Sequence, residues 1–283
     1  MTTLTQFLAD VADTCNANAR PSLIVPLQAV ATGVFPQLVR VEHERITHLS
    51  HPIRVLKHVY LGLRDQLAMP PSVELALGLA ALCHDASTVK KKSSTLVDRT
   101  QDPTKQKEEE QSRRTLRLLH EAEGVAELVK AVIVANQVLR SAENPTIGAD
   151  ILEIAARVCA VHDAPSLRSP LPLAPGTAAG TALALFVVAD GLAMIEYDGG
   201  LTSPVPVGPM VEPWAREEPV DRRGVAKQMT DSLKSLKSRM QAAFGLPKET
   251  GLSGCFALSP ALADLAVSYA HAWADELAIN LDI

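Results

Sequence analysis

Alternating apolar and polar runs rich in Val, Ile and Thr are almost missing from this chain, which leaves little from which to build a sheet. Cysteine is sparse as well. Cys15, Cys83, Cys159 and Cys255 stand far apart and form no C-x-x-C pair, which argues against a zinc cage or dithiol redox motif. They read as reduced thiols of a cytosolic-type compartment, two of them inside apolar helical runs. Basic charge is not in excess. A formal net charge of -5 and a pI near 5.9 give no field of the kind that nonspecific nucleic-acid binding needs. The apolar run "TALALFVVADGLAMI" is interrupted by Asp190 and falls short of the roughly 20 residues that span a bilayer. The N-terminus "MTTLTQFLADVADTC" carries acids early and lacks the basic-then-apolar order of a signal peptide. The expectation is a cytoplasmic chain with neither nucleic acid nor membrane as partner.

What the chain does have is apolar residues recurring at three- and four-residue spacing along most of its 283 residues. The fold class expected is all-α. The spacing predicts helices over residues 3–16, within 22–45, and over 51–67, 72–83, 106–123, 125–141, 149–161, 178–197, 223–244 and 260–277. Ser50 and Pro52 suit a helix start that would place His51 in its first turn, and Ser72 with Glu74 suits the next start after Pro70 and Pro71. Three polar or proline-rich stretches interrupt the pattern: "STVKKKSSTLVDRTQDPTKQKEEEQ", "APSLRSPLPLAPGTAAG" and "DGGLTSPVPVGPMVEPWAREEPVDRRG". Loops of this length are functional or mobile in a compact domain.

The chemistry-bearing residues begin with "LALGLAALCHDAST", an apolar run that ends on His84 and Asp85. Upstream, "HPIRVLKHV" offers His51, with Arg54 behind it. Downstream, Asp190 stands in the middle of an apolar helix, where a carboxylate is costly unless paired or bound to a metal. Two neutral imidazoles and two carboxylates make a mixed nitrogen and oxygen shell for one divalent cation: Mn²⁺, Fe²⁺, Co²⁺, Ni²⁺ or Mg²⁺. Such an ion makes a nucleophile of bound water near neutral pH and polarises a phosphoryl oxygen.

The order H-x-x-R-V, then a small-residue apolar helix ending in H-D, then an isolated aspartate in a later apolar helix, resembles the HD superfamily of metal-dependent phosphohydrolases. The resemblance spans roughly residues 47–200 and makes His51, His84, Asp85 and Asp190 the metal ligands. "ADGLAMIEYDGG" followed by "DSLKSLKSRMQAAFGL" is similar to the bacterial subgroup of nucleotide pyrophosphohydrolase type, although "VADGLAM" replaces that subgroup's more charged segment.

The resemblance implies an HD-domain-like helical bundle with long loops. It has an N-terminal helical extension over 1–46, a metal-binding core over 47–200, and a loop with C-terminal helices over 201–283, all in one compact domain. It also implies hydrolysis of a nucleotide or other small phosphorylated metabolite by a metal-activated water, with Asp85 holding that water and Arg54, Lys90 or Asn136 as substrate contacts. Whether the chain forms a homo-oligomer stays open.

Alternatives stand beside each assignment. His58 rivals His51, Arg54 can be a structural ion-pair partner, and the run Lys90 to Lys92 can be a solvated loop. His162 with Asp163 forms a second pair that lacks its own upstream and downstream set, His120 reads as a helix end near the surface, and His271 as an interfacial residue. After the first pair come Ser87 and Thr88, where many HD hydrolases carry another acid or histidine, so a single metal is expected. Two other functions remain open: an HD module that senses a ligand or binds a protein, and an HD hydratase or lyase acting on a non-phosphate substrate.

Overall fold

Thr3 Oγ1 accepts the Gln6 N–H at 3.2 Å and so opens the first helix of the chain. A computed structural model describes residues 2–43, 49–66, 69–87, 103–162, 178–200 and 221–279. Among them the helices are α1 (Leu4–Ala17), α2 (Ile24–His43), α3 (Ser50–Gly62), α4 (Pro71–Cys83), α5 (Pro103–Ser141), α6 (Ala149–Cys159), α7 (Ala178–Met194), α8 (Arg222–Phe244), the short α9 (Leu252–Cys255) and α10 (Pro260–Leu277). No strand occurs among the described residues, so the fold is all-α as the periodicity predicts.

Two compact units share these helices. The first takes Met1–Pro52 and Leu75–Ala164; the second takes Ile53–Glu74 and Pro165–Ile283. Neither is one contiguous stretch, unlike the sequential division expected at residues 46 and 200.

In the first unit, α2 lies along both α1 and α5, and α6 packs on α5. The α1–α2 pairing follows from the buried stripe Phe7, Val11, Thr14 and Cys15 on α1, and Gln28 Nε2 adds a hydrogen bond to the Leu8 carbonyl at 2.9 Å. Small residues bring α2 onto α5: a Cβ at Gly33 would sit 3.2 Å from the Ala131 backbone. Residues 21–42 are long and apolar enough to cross a membrane by length and composition, with a mean hydropathy of 1.5. The periodicity places this helix within 22–45, but Gln28, Thr32, Pro36 and Gln37 break its apolar run without adding a charge, which hides its overall apolar length.

The 39-residue α5 is a second difference. Two helices meeting at Gly124 were expected, since glycine is a weak helix former. The helix instead runs through, and Gly124 marks a close approach: a Cβ there would stand 2.7 Å from the carbonyl oxygen of His84. This gives a diagnostic sign. In an exposed helix Gly→Ala stabilises by about 0.5–1 kcal/mol. Gly124→Ala should instead destabilise, by about 1–3 kcal/mol of overpacking, read as a lower urea midpoint at unchanged slope. A raised midpoint would mean that α5 does not press on His84.

In the second unit, α7, α8 and α9 all pack on α10. Ser259 caps α10 through the Leu262 N–H, Pro260 fills the first turn, and Leu262, Ala266, Tyr269 and Trp273 form the buried stripe. The Trp273 indole N–H reaches the Ile195 carbonyl at 3.0 Å and fixes the chain just after α7.

Candidate metal centre

Helix α4 is apolar on every side, and residues Leu75 to Ser87 are all buried, so its C-terminal end lies inside the first unit. The helix finishes at Cys83 and the chain turns, with the Ala86 N–H on the Cys83 carbonyl at 3.1 Å. His84 Nδ1 lies 3.0 Å from the Ala81 carbonyl. A carbonyl only accepts, so this nitrogen donates, and Nε2 is left facing away from the helix. The end of α6 repeats the device: His162 Nδ1 donates to the Cys159 carbonyl at 2.7 Å. Each histidine therefore uses the carbonyl three residues back to fix its tautomer and its direction.

Both rings point at Asp85. Its Oδ1 lies 3.1 Å from His120 Nε2, 3.7 Å from His162 Nε2 and 3.8 Å from His84 Nε2, while Oδ2 lies 3.5 Å from His51 Nε2. His51 and His84 bring their Nε2 atoms within 3.3 Å of each other. All five side chains are at most 2 % exposed. At 3.1 Å the His120 Nε2–H donates a hydrogen bond to the carboxylate and orients it.

Buried His and Asp groups in this cluster could hold a metal ion: the ligand atoms of His84, Asp85 and His162 all lie within 4.8 Å of one another. Two donors about 2.1 Å from one ion, at tetrahedral or octahedral angles, stand roughly 3.0–3.4 Å apart. The His51–His84 pair falls in that range, and the spacings from Asp85 to His51, His84 and His162 are up to a few tenths of an ångström wider. Burial pushes the nearby Cys83 thiol well above its ordinary range, reinforced by Cys159 and Glu127; burial and then the Asp85 charge do the same to Cys159.

The sequence assignments divide. His51, His84 and Asp85 come together as expected. His120 is not a surface helix end but is fully buried in the middle of α5, and His162 belongs to the first His-Asp pair rather than to a second set. Asp190 lies half-buried on α7 in the second unit. Arg54 and His58 belong to that unit too. There Arg54 Nε lies 3.6 Å from Glu196, the ion pair named as its alternative role. The Asn136 side chain donates to the Ile147 carbonyl at 3.0 Å and accepts the Ile147 N–H at 2.8 Å, which ties down the turn between α5 and α6. His271 is exposed on α10. Lys90 and its lysine neighbours lie outside the described residues.

A signal for His162 was present in the sequence. "AALCHD" and "RVCAVHD" both carry histidine and aspartate directly after an apolar helix, the position from which an imidazole can reach the last free carbonyls. For His120 the signal is weaker: it lies one turn before Gly124, the only glycine within α5.

Compared with protein-family models, curated proteins and solved structures, the chain matches none, so the reading of this centre rests on its own geometry.

Proposed function

We propose that the chain is a metal-dependent phosphohydrolase of HD type acting on a nucleotide or other small phosphorylated metabolite. The observation that carries the reading is one buried carboxylate, Asp85, faced by the Nε2 atoms of four histidines. His51, His84, Asp85 and His162 would hold the ion, and Asp190 is added from its place in the order of residues. Neutral imidazoles with a carboxylate suit Mn²⁺, Fe²⁺, Co²⁺ or Ni²⁺ better than Mg²⁺, which favours oxygen donors. A divalent ion held there supplies Lewis acidity toward a phosphoryl oxygen and an acidified water.

The chain's own contribution is placement. The Ala81 and Cys159 carbonyls fix two imidazoles, His120 fixes the carboxylate, and burial keeps bulk water from the donors. Metal analysis of the purified chain, followed by hydrolysis assays on nucleoside mono-, di- and triphosphates and sugar phosphates, tests the proposal. Stoichiometric divalent ion and turnover that falls by about 100-fold or more in His84→Ala are expected. A chain that binds no divalent ion, with hydrolysis untouched by His84→Ala, would sink it. Ion binding without turnover on any phosphate compound would favour the sensing module instead.

A further inference from the structure

Hydrolysis of a phosphoester has to move a proton from the attacking water to the leaving oxygen. The segment after the His-Asp pair offers only Ser87 and Thr88, whose hydroxyls are poor proton acceptors near neutral pH. Helix α5 brings a carboxylate to the same place. Ser87 Oγ donates to Glu123 Oε2 at 2.7 Å. One turn earlier on α5, His120 meets Asp85; one residue later, Gly124 lies against the His84 carbonyl. Positions 120, 123 and 124 share one face of the helix, and all three engage residues 84–87.

Burial separates Glu123 from the other carboxylates nearby. Asp85 and Glu121 are each 1 % exposed. Glu123 is half-buried, so among these acids it joins a direct bond to the His-Asp segment with access to solvent. Proton exchange needs both properties.

We propose that Glu123 is the general base and acid of the reaction, an assignment that rests on the phosphohydrolase reading. As the water oxygen forms its bond to phosphorus, the Glu123 carboxylate takes the water's proton. As the bond from phosphorus to the leaving oxygen breaks, the leaving oxygen takes the electron pair and Glu123 returns the proton to it. Ser87 is the positioning residue that aims the carboxylate.

Glu123→Gln keeps an oxygen that can accept from Ser87 but cannot carry the proton. On the nucleotide that the wild-type chain hydrolyses best, kcat should fall by about 10²–10⁴-fold, with KM and metal content unchanged. The loss should be smaller, though still present, on p-nitrophenyl phosphate, whose leaving group needs no proton while the attacking water still lacks its base, and added formate should restore part of the activity of Glu123→Ala. Ser87→Ala should lose about tenfold in kcat. A Glu123→Gln chain with wild-type kcat overturns the assignment and leaves the hydrolase reading standing. Loss of bound metal together with activity also overturns it, since Glu123 would then be holding the fold. A wild-type chain that binds metal but hydrolyses no phosphate compound overturns both.

Discussion

Asp85→Asn should weaken divalent-ion binding by about 100-fold or more, because even groups that merely orient a ligand contribute 10–100-fold, and Asp85 is the carboxylate on which the histidines converge. The amide removes the charge that complements the cation and changes little else in size. Thermal melting separates this from simple damage. In a metal-free sample the variant should melt no lower than the wild type, since a buried carboxylate is costlier than the neutral amide that replaces it. With Mn²⁺ or Co²⁺ at about 100 times the wild-type Kd, the wild type should gain roughly 2.7 kcal/mol of stability and the variant almost none. Equal gains in the two proteins would show that the ion binds elsewhere.

The second large effect belongs to the other unit. Glu196 is 3 % exposed and meets Lys57 Nζ at 2.9 Å, Arg54 Nε at 3.6 Å and His58 Nε2 at 4.0 Å, and accepts from the Tyr269 hydroxyl at 3.4 Å. Burial would raise its carboxyl group, but the charges of His58, Lys57 and Arg54 outweigh burial and hold it below the ordinary 4.5. Glu196→Ala leaves the buried Arg54 guanidinium without this carboxylate, a change that costs about 3–5 kcal/mol in buried pairs. Lys57, half exposed, adds little. Urea denaturation should show the loss as a lower midpoint. The sign of the pH dependence follows from a depressed value: the contribution is complete above 4.5 and disappears as pH falls through the folded-state value. Glu196→Ala should therefore flatten the acid limb of the wild-type stability curve. A variant that keeps the same acid limb would place that limb on other carboxylates.

The elements were legible because helices repeat on a local period, and the period is written in neighbouring residues. Long-range placement is not. His51 and the His84–Asp85 pair could be grouped because each stands at a helix end within a recognisable order of residues. His120 could not, because its partner Asp85 lies 35 residues away and only the crossing of α5 over the end of α4 joins them. Gly124 was misread for the same reason: in sequence a helix break and a crossing point both read as glycine. Arg54 and Asn136 show the converse. Their side chains suit phosphate, but they suit Glu196 and the Ile147 backbone equally well, and only the fold decides between such partners.

The interleaving of the two units bears on any attempt to dissect the chain. Residues 1–164 contain all five members of the Asp85 cluster and look like a natural fragment. They also carry 53–74, a segment of the second unit that includes the buried Val55, Leu56, Val59 and Tyr60. No single cut separates the units, and a truncation at residue 164 would leave those apolar side chains without their own core, a surface prone to association. The candidate metal centre is best isolated by substitution within the intact chain, not by excision.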